Sequence, residues 1–144
     1  MKSKLLQEAA QRTFAVVFDS DDDPMKGLQA FAAEQSLLAS SFSAIGAFRN
    51  VTLGYFNWDT KQYDKIPIDE QVEVLALVGN ITRKGKEPKI HAHVVVGKRD
   101  GTAHGGHLLE ARVRPTLEVV VRESPEFLIR VPDETTGLPL IAIR

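Results

Sequence analysis

A chain of 144 residues, 43% hydrophobic and 26% charged, is long enough for one domain with its own apolar core. It holds no cysteine, which excludes disulfides, thiolate metal cages and a cysteine nucleophile. A formal net charge of −1 gives no overall pull toward phosphate backbones or acidic membranes. No stretch approaches the roughly 20 apolar residues of a membrane-spanning helix. The apolar run within MKSKLLQEAAQRTF is too short for a secretory leader, so a cytoplasmic location is expected. The sequons at Asn50 and Asn80 then carry no weight.

The segment RTFAVVFDSDDDPMKGLQAFAAEQ reads as a strand followed by a helix. Phe14, Val16 and Phe18 alternate on one strand face. Asp19 to Asp23 supply N-cap candidates, Pro24 suits the first helical position, and Met25, Leu28, Phe31, Ala32 and Gln35 follow a helical spacing. Asp21, Asp22 and Asp23 lack the alternation, central Gly and terminal Glu of a calcium loop, so capping is the preferred reading. From Ser41 the pattern turns to strands. FSAIGAFRNVTLGYFNW gives two β-rich runs and KQYDKIPI a third. VEVLALVGNI carries a stretch, Leu75 to Val78, apolar on both faces as in a central strand. KIHAHVVVG follows a lysine-rich turn, and LEVVV, FLIRV and LPLIAI close the chain. One helix among many hairpin-linked strands predicts an α+β domain with a largely antiparallel sheet.

All four histidines lie between positions 91 and 107. In KIHAHVVVG, strand alternation puts His91 and His93 on one face and Ile90, Ala92, Val94 and Val96 on the other. Two imidazoles so spaced, with Cα atoms roughly 6.5–7 Å apart, can converge on one ion. Gly101, Gly105 and Gly106 allow the backbone to bend, which would return His107 toward the pair. Three neutral imidazoles leave zinc an open position for water or substrate. Two readings stay open at this point: a metal site, and histidines that line a surface or subunit contact. His104, before the glycine pair, reads as an exposed residue. Glu73, Glu110 and Asp100 are candidate proton carriers for metal-activated water, and no spacing singles one out.

G-x-S-x-G, S-x-x-K, H-E-x-x-H and G-x-G-x-x-G are all missing. GNITRKGKE departs from a P-loop in both its spacing and its last residue. Arg83, Lys84, Lys86 and Lys89 cluster at one hairpin, where a solvated loop is the commoner explanation than phosphate binding.

KIHAHVVVGKRDGTAHGGHLLEARVRPTLEVVV resembles the core of the plants-and-prokaryotes-conserved (PPC) domain, with its H-x-H and D-G-x-x-x-G-G-H-L signature. FSAIGAFRNVTLGYF is similar to that family's glycine-containing strand pair. VEVLALVGNI is similar to its segment ending in G-N, with Ala76 where Ser is usual. The resemblance covers about residues 12–123 of a single domain spanning 1–144. It implies a compact α+β subunit that forms a homotrimer, and a metal, often taken as zinc, on His91, His93 and His107. His104 falls outside the signature. The family is described as DNA-binding. In its plant members that contact belongs to a separate Arg-Gly-Arg-Pro hook, whose nearest counterpart, Arg112 to Pro115, has Val113 for glycine and reads as strand.

Two functions compete. One is a DNA-binding or transcription-associated regulatory protein acting as a metal-binding homotrimer, with DNA or a protein as further partner. The other is a zinc-dependent enzyme of hydrolytic type, or a small-molecule binder, using the three histidines. No particular reaction is implied.

Overall fold

The computed structural model describes residues 1–7, 11–124 and 129–142. Strand β1 (Lys2–Gln7) lies antiparallel to β2 (Thr13–Phe18). Along β2 the expected alternation holds, with Phe14, Val16 and Phe18 all buried. Local pattern does not predict β1, because KSKLLQ has no regular alternation; its strand form comes from pairing with the free edge of β2.

Helix α1 (Pro24–Glu34) starts where the aspartates and proline place it. The Asp23 carboxylate accepts a hydrogen bond from the backbone N–H of Lys26 at 3.1 Å, which satisfies a donor the first helical turn leaves unpaired. Leu28, Phe31 and Ala32 are buried, and Met25 packs against the core. Asp21 pairs with Arg49 at 2.7 Å. The acidic run therefore caps and pairs, as the sequence suggests.

The two runs expected in FSAIGAFRNVTLGYFNW are one strand, β3 (Ser40–Asn57). Its pairing register shifts at Gly46, which has φ +149. A Cβ there would sit 2.3 Å from the Thr116 carbonyl oxygen, so only glycine lets the two backbones approach at this bulge. The remaining strands are β4 (Gln62–Ile68), β5 (Val72–Lys84), β6 (Glu87–Gly97), β7 (Ala103–Glu123), β8 (Ile129–Pro132) and β9 (Pro139–Ala142). The runs FLIRV and LPLIAI correspond to β8 and β9, except that Phe127, Leu128 and Ile143 lie outside the described residues.

Among the described residues every pairing is antiparallel except that of β5 with β8. Hydrogen bonding runs from β7 to β3, β5 and β6 and returns to β7, so these four strands close on one another. Closure leaves none of the four as a free edge along its paired length. The core includes Phe18, Phe31, Phe48, Leu77 and Leu117. The architecture is α+β, with one helix and a mainly antiparallel sheet among the described residues.

The two-sided burial expected of β5 is only half met within one chain. Val72, Val74 and Leu77 are buried, but Leu75 is 54% and Val78 55% exposed. Ile45 of the neighbouring β3 is 62% exposed beside them. No helix among the described residues is long and apolar enough to cross a membrane.

Candidate metal centre

Strand register builds the site. Ile90, Ala92 and Val94 of β6 point into the core, which turns His91 and His93 to the opposite face. A tight turn follows, closed by Lys98 N–H to the Thr102 carbonyl at 2.9 Å, with Gly101 at φ +84. The chain returns antiparallel as β7, and His107 becomes the direct partner of His93. The sequence suggests that Gly101, Gly105 and Gly106 let the backbone bend to bring His107 back; Gly101 does so in this turn, while Gly105 and Gly106 lie within β7, where cross-strand pairing sets His107 opposite His93. Gly106 has a separate reason to lack a side chain: a Cβ would meet the Gly54 carbonyl oxygen at 2.9 Å.

His91, His93 and His107 each direct one ring nitrogen inward, and these three atoms lie within 4.8 Å of one another. Nε2 of His91 and Nε2 of His93 are 3.1 Å apart. Zinc–nitrogen bonds of about 2.0–2.1 Å in tetrahedral geometry require nitrogens roughly 3.3 Å apart, so this spacing fits a shared ion. His104 is exposed, pairs with Val96, and has its Nε2 3.4 Å from Thr102 Oγ1. It stands outside the cluster, as expected.

The electrostatics favour neutral ligands. Burial depresses the pKa of His91, and the positive charges of Arg130, His93 and Lys89 add to the effect. Burial also lowers His107, to about 4, with further depression from His91, His93 and Lys89. Both rings are therefore unprotonated at neutral pH, the form a metal requires. None of the candidate proton carriers joins them. Glu73 is an exposed residue opposite Gly97, Glu110 lies 3.8 Å from Lys65, and the Asp100 carboxylate accepts from Thr102 in the turn.

Sequence reasoning missed the residues around the triad. Tyr63 of β4 stacks on His107 with ring centroids 4.7 Å apart, and its hydroxyl is 3.5 Å from Nδ1. Arg130 of β8 lies against His91, and Asn80 of β5 is the cross-strand partner of His91. A cavity of about 270 Å³ is lined by two of the three histidines, His91 and His107, together with Tyr63, Lys84, Lys89, Arg130 and the segment Leu138 to Leu140, among others. Lys84 and Lys89, in β5 and β6, both line this cavity.

The fold recurs in other proteins. A candidate DNA-binding protein from Bacteroides thetaiotaomicron is 31% identical, with 97% of this chain and 96% of that one covered and a TM-score of 0.87. A metal-containing protein from Archaeoglobus fulgidus is 35% identical, covering 99% and 97% with a TM-score of 0.84. A plant- and prokaryote-conserved protein from Pyrococcus horikoshii is 26% identical, covering 99% and 96% with a TM-score of 0.85. No curated protein matches the chain. The Plants and Prokaryotes Conserved (PCC) domain, the PPC domain under its other abbreviation, matches residues 6–125, and this chain belongs to that family.

Proposed function

We propose that this protein is a zinc-binding homotrimer that serves as a DNA- or transcription-associated regulator, with the metal held by His91, His93 and His107. The convergence of three inward nitrogens within 4.8 Å carries the reading. The metal-containing relative from Archaeoglobus supports it, as does a ligand set of imidazoles without thiolates. Zinc bound by three histidines would supply a Lewis acid with an exchangeable fourth position. The chain's own contribution is to keep His91 and His107 neutral by burial and to fix the His107 ring against Tyr63. Calorimetric titration of chelator-treated protein tests this: one zinc per chain is expected, and no saturable uptake would contradict it.

The trimer rests on Leu75, Val78 and Ile45, an apolar sheet face that the single chain leaves open. The association with DNA is supported by the name of the Bacteroides relative and by the basic hairpin around Lys84, Lys86 and Lys89. With a net charge of −1, affinity for duplex DNA is expected to be weak, non-specific and steeply salt-dependent. Fluorescence anisotropy across a salt series measures this. Tight sequence-selective binding at physiological salt would mean that the oligomer builds a stronger basic surface than one chain shows.

A zinc-dependent enzyme or small-molecule binder is the second reading, favoured by the cavity that His91 and His107 help to line. No described carboxylate lines that cavity to carry a proton, and burial raises the pKa of Tyr63. Within this reading, ligand binding is better supported than hydrolysis.

A further inference from the structure

Arg130 is a buried cation without a matching anion among the described residues. It is only 8% exposed, and its hydrogen-bond partners are all neutral. Nε donates to Thr82 Oγ1 at 2.7 Å, Nη1 to the Pro139 carbonyl at 2.8 Å, and Nη2 to Asn80 Oδ1 at 2.9 Å and His91 Nδ1 at 3.2 Å. No carboxylate among the described residues forms an ion pair with it. A buried charge in this state is costly unless something of opposite sign comes to it.

The surroundings add to the imbalance. Lys84 and Lys89 line the same cavity, and among the described residues no Asp or Glu does. Ile90, Leu138, Pro139 and Leu140 add apolar surface to the lining, beside Tyr63, His91 and His107. A cavity of about 270 Å³ lined by both cationic and apolar side chains suits a small ligand with an acidic head and a short apolar tail.

We propose that this cavity binds a small organic carboxylate, with its acid group held between Arg130 and Lys89 and its hydrocarbon part against Leu138–Leu140. Four of the five N–H donors of Arg130 are taken by the contacts above, which leaves one Nη1 hydrogen for a single charge-assisted hydrogen bond to a carboxylate oxygen. Inorganic phosphate would satisfy the charge but leave the apolar lining unused. The proposal stands on Arg130 and the cavity, and does not require the metal.

The test is a titration of full-length, metal-free protein with butyrate, followed by NMR of the histidine ring signals. Butyramide serves as the neutral isostere and phosphate as the inorganic anion. Butyrate should shift His91 and His107 saturably, while butyramide should not, and phosphate should bind more weakly than butyrate. Lys89→Gln, at an exposed position, should weaken butyrate by about fivefold or more, whereas Lys65→Gln outside the cavity should not. Arg130→Lys should weaken it as well, with circular dichroism confirming the fold. Failure of butyrate to saturate overturns the proposal, whether or not zinc binds in a parallel titration. Equal binding of butyramide or phosphate, or no effect of Lys89→Gln, overturns it too.

Discussion

Arg130 donates through Nη2 to Nδ1 of His91 at 3.2 Å, and this contact fixes which tautomer the ring adopts. A guanidinium has no acceptor, so Nδ1 must be bare and the ring proton must sit on Nε2. That Nε2 is the atom facing Nε2 of His93 at 3.1 Å. A metal ion taken up at Nε2 would send the proton to Nδ1 and set donor against donor. Metal-ligating histidines ordinarily give their second N–H to a carboxylate or carbonyl, so Arg130 would restrain the affinity of the proposed site for zinc.

Arg130→Gln, whose side-chain oxygen can accept from Nδ1–H, should therefore tighten zinc binding by about tenfold. The same change strips donors from Asn80, Thr82 and Pro139, and should cost about 2–4 kcal/mol of stability. Competition with a chromophoric chelator and thermal denaturation read the two effects separately. A folded variant with unchanged or weaker zinc affinity would show that the guanidinium does not govern the site.

The metal-free protein should lose stability in acid. His107 titrates at about 4 when folded, against 6.5 as its ordinary value, and His91 is also depressed. Between those pH values the unfolded chain binds more protons than the folded one, so stability falls as pH drops through the window from 6.5 toward 4. Denaturant unfolding in a pH series measures this. His107→Gln should flatten the profile; an identical slope in wild type and variant would contradict the assignment.

His91 and His93 are legible in the sequence because a strand's period of two needs only local residues to place them on one face. Their grouping with His107 is legible too, though through the signature rather than through the mechanics of the backbone. Cross-strand register sets that contact, and register depends on where the intervening turn closes. Arg130 is not legible at all. It sits on a four-residue strand whose parallel pairing with β5 rests on a single position, Arg83 opposite Ile129, and no local pattern announces such a contact. The fold follows the same division: β2, α1 and β6 follow from periodicity and capping, while β1 and the continuity of β3 are products of pairing.

Gly106→Ala should disturb the site indirectly. The added methyl would lie 2.9 Å from the Gly54 carbonyl oxygen and 3.3 Å from Leu53 Cβ, which forces β7 away from β3 beside His107. A loss of about 1–3 kcal/mol is expected, together with weaker metal binding. Gly101→Ala is the comparison, at a turn position where a Cβ meets nothing within 4 Å but φ is +84. It should cost stability without changing zinc affinity. Equal effects of the two on the metal would argue against the packing explanation.

The exposed apolar face predicts assembly. Sedimentation should give about three times the 15.9 kDa chain mass, and Val78→Glu with Leu75→Lys should shift it to the monomer. A wild-type monomer at micromolar concentration would contradict the trimer and leave the open face of β5 without a cover.

Elemental analysis of zinc-supplemented protein, after exhaustive dialysis, tests the central claim most directly. The geometry predicts one zinc per chain in wild type, most of it retained in His104→Ala, and none in the double variant His91→Ala, His93→Ala. Circular dichroism establishes that the double variant is folded. Absence of stoichiometric metal in the wild type, or its loss through His104→Ala alone, would contradict the assignment of His91, His93 and His107 as the metal centre.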